Sequence, residues 1–388
     1  MYQVRRVKIG KTAQLDELAR ECGKLYSQTV VSFWRTVRHK GIWLKPAQMM
    51  RWYTSDKLHA HTADACVQSF FAALKSWRKR RKNDPNAKPP RKRKWYFKIE
   101  YKSSAIRHKD GQLTLSNGKG NAPLILVWPR ETPKTVFIRW TGQEYEAVAT
   151  YKQDAPQATP QGNKVAGIDL GEIHIAVAHD GRETQLFNER LLRSKRQYRN
   201  KLIAELESKI DVKKKGSRRR KKLIRSKQKQ LKKLKNQIKD IEHKQTTRLI
   251  STLHANGVQM VVIGDVRAIR QDLDVGSTNN QKLHQWSHGT IRHMLTYKAE
   301  RQGMEVALQE ESYTSRTCPC CGFVRSKVQG RVFSCPMCHV VLHRDGVGAI
   351  NIRRKYLASL PVVGVMAPPT SMRYTPHTRV AHTEKRYA

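Results

Sequence analysis

The spacing of apolar residues predicts a strand followed by helices in the first part of the chain. Apolar and polar residues alternate over 2–9, which is the period of a strand. Apolar residues then recur at helical spacing over 15–37 and over 46–77, and a basic, proline-rich linker follows at 78–90. We therefore predict a helical lobe with a basic linker over residues 11–94.

The next segment changes to short strand patterns separated by turns. Five short runs of β-branched and aromatic residues lie within residues 95–155. Asn117-Gly118 and Thr141-Gly142 are dipeptides typical of turns between antiparallel strands. We predict that this segment and residues 1–10 together form a small β-barrel.

The second half of the chain alternates strand and helix patterns, as α/β domains do. A β-branched strand delivers Asp169 to a glycine turn. Two further apolar strands end at Gly264 and just before Glu310, with a helical pattern over about 280–302 between them. Asp345 opens the last helical pattern.

These patterns predict one α/β domain that a cysteine-rich segment interrupts. We assign residues 164–312 and 340–358 to the α/β domain and residues 313–339 to the insertion. Residues 359–388 show no periodicity, and we expect them to form a disordered tail.

The helical pattern over residues 191–250 carries a one-sided charge. It holds 23 Lys and Arg against five Asp and Glu, and apolar residues recur every three or four positions on both arms of a hairpin. Salt bridges along the helix cannot balance such a charge, whereas a phosphate backbone can. The candidate nucleic-acid-binding residues in this hairpin and in the basic linker are Lys79, Arg80, Lys92, Arg93, Lys214, Arg219, Lys222 and Arg225.

Composition extends this bias to the whole chain, which has a net charge of +45. A polyanion must neutralise such a charge, and nucleic acid is the expected one. A structural RNA-binding protein, such as a ribosomal component, would share this composition. No apolar run is long enough to span a membrane, and the N-terminus lacks the apolar core of a secretion signal. We expect a cytoplasmic, nucleoid-associated protein that binds no membrane.

Two Cys-x-x-Cys turns predict a zinc ribbon. Cys318 with Cys321 and Cys335 with Cys338 are separated by thirteen residues. Zn²⁺ prefers four thiolates in a tetrahedron, and each turn supplies two. Seven cysteines in 388 residues without a secretion signal do not suit a disulfide framework. Cys320 breaks the spacing, so we predict that it is not a ligand.

The strand that ends at Asp169 is typical of polynucleotidyl transferases of the ribonuclease H type. In such sites carboxylates hold two Mg²⁺ ions that promote phosphodiester hydrolysis. The run Gly167-Ile-Asp-Leu-Gly171 also opens sugar kinases and actin-like ATPases, but those proteins lack a zinc ribbon and a large basic excess.

Three blocks of sequence resemble the TnpB family of transposon-encoded RNA-guided DNA endonucleases, which are related to type V CRISPR effectors. The blocks are 167–171, 313–322 and 343–352, and the ribbon between the last strand and Asp345 is the most specific feature. The N-terminal half resembles the family in layout only. The resemblance implies an α+β and α/β multidomain fold: a wedge β-barrel with a helical recognition lobe, then a ribonuclease H-like RuvC domain with an inserted zinc ribbon.

The resemblance also implies an activity and its partners. A guide RNA from the transposon end would pair with double-stranded DNA next to a short transposon-adjacent motif, and the RuvC-like domain would cut the DNA with two Mg²⁺ ions. Asp169 and Asp345 would bind these ions, and no small-molecule substrate is expected. Arg344 could neutralise the scissile phosphate or pair with an acid.

The chain departs from the family where a glutamate usually ends the second catalytic strand, because Gly264 stands there. Asp265 follows, but adjacent strand residues point to opposite faces. Some relatives place the glutamate before a Tyr-Thr-Ser-x-Thr-Cys run instead, which here designates Glu311, with Glu310 as its rival. Both could also be ordinary solvated acids, and the nuclease would then be dead.

Three other functions stay open at this point. A nuclease-inactive RNA-guided repressor would keep the basic surface and the ribbon without cutting. A compact type V CRISPR effector would share all these features and differ in the origin of its guide. A transposase proper could also carry a zinc ribbon.

Overall fold

The computed structural model describes residues 2–93, 95–152, 162–188, 190–266, 274, 276–324, 327–358 and 370–373. The chain separates into two compact units, Met1–Asp154 and Ala155–Ala388.

The first unit combines three helices with two antiparallel sheets. The helices are α1 (Ala13–Lys40), α2 (Pro46–Trp52) and α3 (Ala60–Arg81). The strands are β1 (Tyr2–Ile9), β2 (Ile99–Lys102), β3 (Ile106–Lys109), β4 (Gln112–Leu115), β5 (Leu124–Val127), β6 (Thr135–Trp140) and β7 (Tyr145–Lys152). The segments follow the predicted order, but the helical pattern over 46–77 corresponds to two helices, α2 and α3.

The strands of this unit form two sheets instead of a closed barrel. Their orders are β1-β7-β6-β2 and β3-β4-β5 among the residues that the structure describes. A 3₁₀ turn at Ser103–Ala105 lies between β2, which belongs to the first sheet, and β3, which belongs to the second. The prediction of a single barrel is corrected in this respect.

The core of the first unit joins α1 and α3 to both sheets. Cys22 and Cys66 are buried there with Tyr101 and Trp128, in agreement with their helical positions in the sequence. A second apolar cluster, built around Phe33 and Phe70, packs the helices against one another.

The second unit is built on one mixed sheet with helices. Its strands are β8 (Lys164–Asp169), β9 (His174–His179), β10 (Thr184–Asn188), β11 (Val258–Gly264), β12 (Glu305–Gln309) and β16 (Thr370–Arg373). Their order is β12-β11-β8-β9-β10-β16, with β8, β11 and β12 parallel. This arrangement is the predicted ribonuclease H-like sheet. The helices are α4 (Arg190–Asp211), α5 (Arg218–Ala255), α6 (Ser277–Gln285), α7 (His288–Arg301) and α8 (Arg344–Leu357).

Three details differ from or refine the sequence prediction. The basic hairpin consists of α4 and α5, joined by a turn with Gly216 at a φ of 84°. The helix expected over 280–302 is two helices that meet at Trp286 and Ser287. β16 pairs in parallel with β10, within the segment expected to be disordered, while the rest of that tail lies outside the described residues.

The ribbon lies in the chain between β12 and α8. Its strands are β13 (Lys327–Gln329), β14 (Val332–Ser334) and β15 (Val341–His343), which pair as one antiparallel sheet. β15 leads directly into α8, so Asp345 lies only two residues after the last strand of the ribbon.

Candidate active site and metal centres

Asp169 lies at the end of the central strand β8, and helix α8 approaches it closely. A Cβ on Gly348 would lie 2.4 Å from Asp169 Oδ2, so only a glycine lets the helix pass at this distance. A Cβ on Gly167 would lie 2.3 Å from the carbonyl oxygen of Ala349. Two glycines therefore allow α8 to lie against β8 and to bring its first turn towards Asp169.

The carboxylate of Glu311 fills the space above Gly264. A Cβ on Gly264 would lie 1.7 Å from Glu311 Oε1, which is far inside van der Waals contact. Parallel pairing of β11 with β12 sets Gly264 opposite Gln309, two residues before Glu311. The carboxylate of Glu311 thus fills the space that a side chain at position 264 would take, where the neighbouring strands β11 and β12 end.

The structure separates Glu311 from Glu310. Glu310 is exposed, accepts a hydrogen bond from the backbone N–H of Ser312 and pairs with Lys355 at 3.4 Å. Glu311 is half-buried, and its Oε1 is a buried atom with no hydrogen-bond partner among the described residues. Asp265 pairs with Arg292 at 3.5 Å.

Burial and the charges of neighbouring acids raise the pKa values of Asp169 and Glu311. Burial, together with the charges of Glu311 and Asp345, raises the pKa of Asp169 well above its usual range. Burial, then the charges of Asp265 and Glu310, raises the pKa of Glu311 to about 7. We call Asp169, Glu311 and Asp345 the carboxylate cluster; its members repel one another in a partly desolvated pocket.

Asp345 is the member of the carboxylate cluster with polar partners. His174 Nδ1 donates to Asp345 Oδ2 at 2.7 Å, and Arg331 Nη1 lies 2.8 and 2.6 Å from its two carboxylate oxygens. Burial acts to raise the pKa of Asp345, but the hydrogen bond from His174 and the charge of Arg331 hold that pKa below its usual value.

Sequence reasoning missed three residues of this pocket: His174, Arg331 and His343. The arginine in contact with Asp345 is Arg331 of the ribbon, while Arg344 is exposed and lowers the pKa of Asp169 through its charge. The sequence signal was weak, since only the register of β14 against β15 brings Arg331 beside the segment that leads to Asp345. His174 opens β9 and His343 precedes α8, so their proximity also depends on the fold.

Four cysteines form a second group of metal-binding side chains. Cys318 Sγ lies 3.5 Å from Cys338 Sγ, and Cys321 Sγ lies 3.5 Å from Cys335 Sγ. All four sulfur atoms lie within 4.8 Å of one another. We call this group the cysteine cluster. Cys320 is exposed and lies outside it, and four thiols are the donor set that tetrahedral Zn²⁺ prefers.

The eight candidate nucleic-acid-binding residues are all exposed. Lys79 and Arg80 end helix α3, Lys92 and Arg93 lie in the linker, and the other four lie around the turn between α4 and α5. Sequence reasoning missed a cavity of about 640 Å³ in the first unit. Arg20, Lys24 and Lys92 line it, and the Arg20 guanidinium lies 4.5 Å from the centre of the Trp95 ring.

Within the described part of the chain, no helix is both long and apolar enough to cross a membrane.

Comparison with known proteins points to one family. Residues 148–270 match the family model described as "Probable transposase" (OrfB of IS605), and residues 288–352 match the model described as "Cas12f1-like, TNB domain". The second match contains the ribbon and Asp345.

Two curated relatives extend the match. The "TnpB-like protein ORF457" of Acidianus two-tailed virus is 31% identical over 74% of this chain and 64% of its own length. The "CRISPR-associated endodeoxyribonuclease Cas12f1" of Sulfoacidibacillus thermotolerans is 26% identical over 59% of this chain and 58% of its own length. The chain therefore spans less than two thirds of either relative.

One solved structure supports the fold. The cryo-EM structure of a Cas12f1–sgRNA–target DNA complex aligns with a TM-score of 0.56 at 12% identity, over 87% of this chain and 81% of that one. The sheet order, the ribbon between β12 and α8, both family models and the curated relatives agree, and this chain is similar to the TnpB-like proteins.

Proposed function

We propose that this protein is an RNA-guided DNA endonuclease of a transposon, which cuts double-stranded DNA next to a short transposon-adjacent motif. The observation that carries the proposal is the position of Glu311 over Gly264. It supplies the third acid that the sequence lacks at the end of β11. A dead nuclease would have no physical reason to keep a half-buried glutamate without a hydrogen-bond partner in that space.

The carboxylate cluster suits Mg²⁺. Its oxygens are the ligands that Mg²⁺ prefers, and a divalent cation would offset the burial and the negative charges that raise the pKa values of Asp169 and Glu311. The unpartnered Glu311 Oε1 leaves one oxygen free to bind an ion. We propose that Asp169, Glu311 and Asp345 would hold two Mg²⁺ ions.

When bound, such a pair supplies an activated water and charge stabilisation for the departing 3′ oxygen of a phosphodiester. The protein's own part is to hold the three acids at fixed positions on β8, α8 and the end of β12. Arg331, on the ribbon beside Asp345, and Arg344, exposed on α8, are placed to attract and orient a DNA phosphate.

The remaining surfaces fit nucleic acid. The α4–α5 hairpin presents lysine and arginine side chains that would follow a phosphate backbone, and guide–target pairing would read the sequence. The cysteine cluster would hold a structural Zn²⁺ that keeps the short ribbon strands folded. In the first unit, the Trp95 and Arg20 side chains beside the cavity could contact a base and a phosphate.

The test is cleavage of a plasmid library with randomised DNA next to the target. The protein is purified with RNA transcribed from its own locus and supplied with Mg²⁺. We expect Asp169→Asn and Glu311→Gln each to lose at least about 1,000-fold in cleavage rate, because each removes a charged ligand of the cluster.

Glu310→Gln is the matched control, because it makes the same chemical change one residue away on an exposed side chain. It should cut at the wild-type rate. Equal losses in the Glu310 and Glu311 variants would overturn the assignment. Binding of the target by the wild-type protein without any cleavage would show a guided DNA-binding repressor instead.

A further inference from the structure

Two histidines meet Asp345 at the edge of the carboxylate cluster. One donor atom from each of His174, His343 and Asp345 lies within 4.8 Å of the others. His174 is 8% exposed, and its ring lies at 5.3 Å from the ring of His343, edge towards face. We call these three residues the histidine–aspartate group.

His343 has an unused nitrogen at this place. Its Nδ1 is buried and has no hydrogen-bond partner among the described residues. A buried polar atom without a partner costs free energy unless something binds it. The segment that holds His343 is fixed, because β15 ends at this residue and α8 begins at the next.

The spacing of the three donors suits one metal ion. Ligands bound at roughly 2.0–2.2 Å lie about 3–3.5 Å apart around an ion, and these donors lie within 4.8 Å of one another, so the more distant ones need to close by up to about 1–2 Å. Two imidazoles with one carboxylate are typical of first-row transition ions, whereas Mg²⁺ selects oxygen. Arg331 and the Nδ1–H of His174 both contact Asp345, so an arriving ion has to displace this guanidinium and break this hydrogen bond.

We propose that His174, His343 and Asp345 form a binding site for a divalent transition-metal ion such as Co²⁺, Ni²⁺ or Zn²⁺. The proposal deepens the proposed function, on which it rests for the role of Asp345. An ion held here shares Asp345 with the carboxylate cluster and takes the place of one of the two Mg²⁺ ions. The site would therefore prefer transition-metal ions to Mg²⁺, unlike a site with oxygen ligands alone.

The test uses Co²⁺ as the probe, on full-length protein whose cysteine cluster has first been loaded with Zn²⁺. We expect the wild-type protein to bind one further equivalent of Co²⁺, with visible absorption bands that lack the intense sulfur-to-cobalt transitions of thiolate ligands. His174→Ala and His343→Ala should each weaken Co²⁺ binding at least tenfold and change Mg²⁺ binding, measured by calorimetry, much less.

His284→Ala is the matched control, because it removes an exposed imidazole from α6 and should leave Co²⁺ binding unchanged. A spectroscopic measurement on the wild-type protein tests the site even if a histidine variant fails to fold. Proton NMR of the Co²⁺-loaded protein should show two exchangeable imidazole N–H signals with large paramagnetic shifts.

The outcomes separate this proposal from the nuclease proposal. Wild-type Co²⁺ affinity in both histidine variants, or no imidazole signals in the wild type, would mean that the histidines only orient Asp345, and the site would be rejected. Co²⁺ binding with both signals, in a protein that never cuts DNA, would keep the site and reject the nuclease.

Discussion

The cysteine cluster and the carboxylate cluster are both groups of metal-binding side chains, but the chain assembles them in opposite ways. The four thiols come from two tight turns within residues 318–338. The three carboxylates come from the ends of β8 and β12 and from the first turn of α8. Gly264 leaves room for Glu311, and Gly348 leaves room for Asp169. A local cluster depends on its metal to stay folded, whereas the carboxylate cluster is held in place by the core of the sheet.

The difference extends to electrostatics. In the cysteine cluster, burial raises the pKa of Cys318 to about 12, whereas hydrogen bonds outweigh burial at Cys335 and lower its pKa to about 6. In the carboxylate cluster, burial raises the pKa values of Asp169 and Glu311, and the charges of neighbouring acids add to this effect. The ribbon therefore gains stability from its ion, while the acids would gain chiefly the relief of a repulsion that the fold imposes.

The largest expected effect breaks the cysteine cluster. Cys335→Ser removes one of four thiolates, and structural Zn²⁺ supplies roughly 10–16 kcal/mol to small zinc domains, so the ribbon should lose its zinc and unfold locally. Zinc content by atomic spectrometry and amide hydrogen exchange over residues 313–343 measure this. Cys320→Ser is the control and should keep its zinc. Loss of zinc in both variants would make Cys320 a ligand.

The second change breaks the carboxylate cluster and leaves the ribbon intact. Gly264→Ala places a methyl group where Glu311 Oε1 lies, so the carboxylate must move. We expect cleavage to fall by about 100-fold or more, because a displaced catalytic group loses its geometry. Zinc content should not change.

Gly289→Ala is the control for the Gly264 change, since a Cβ there meets no atom within 4 Å. Cleavage assays and thermal unfolding are run on both variants. Wild-type cleavage by Gly264→Ala would contradict the role of Glu311.

The third prediction sharpens the electrostatic contrast. Burial and the charges of Asp265 and Glu310 raise the pKa of Glu311 from its usual 4.5 to about 7 in the folded protein. The folded state therefore binds this proton more tightly than the unfolded chain does, and ionised Glu311 opposes folding above pH 7. The penalty shrinks as the pH falls from 7 towards 4.5.

Glu311→Gln should accordingly stabilise the protein by about 1–3 kcal/mol at pH 8 and by much less at pH 5, in buffer that contains Zn²⁺ and no Mg²⁺. Urea unfolding at both pH values measures this. Glu310→Gln serves as the control and should give no stabilisation, because the pKa of Glu310 is lowered by its hydrogen bond with Ser312. Equal stabilisation at both pH values would contradict the burial of a charged Glu311.

The smallest effect concerns the ion pair between Arg331 of the ribbon and Asp345 of the carboxylate cluster. Arg331 pairs with Asp345 and so competes with a cation. Arg331→Gln should strengthen Mg²⁺ binding a few-fold, on the order of 1 kcal/mol, which is the usual size of a partly exposed ion pair. Calorimetry measures the affinity, with Arg344→Gln as control. Weaker Mg²⁺ binding in Arg331→Gln would show that the arginine supports the ion site instead.

The two clusters also show how far the sequence can be read. The Cys-x-x-Cys spacing predicts all four thiols, because two turns of a hairpin fix their geometry locally. Asp169 and Asp345 are recognisable from the strand and helix that carry them. The choice of Glu311 over Glu310 rested on resemblance, and the structure supplies the physical reason at Gly264. His343 lies two residues before Asp345 and His174 five residues after Asp169, but only the fold brings the two imidazoles together.

The sequence by itself determined the order of strands and helices, the basic character of the α4–α5 hairpin, the ribbon and its thiols, because periodicity, charge and short-range turns are local properties. Only the tertiary structure decided that the N-terminal strands form two sheets and that Arg331 reaches Asp345. It alone also brought two distant histidines to that carboxylate. These contacts depend on strand order, register and the close packing of α8 on β8, which arise from interactions between residues far apart in the chain.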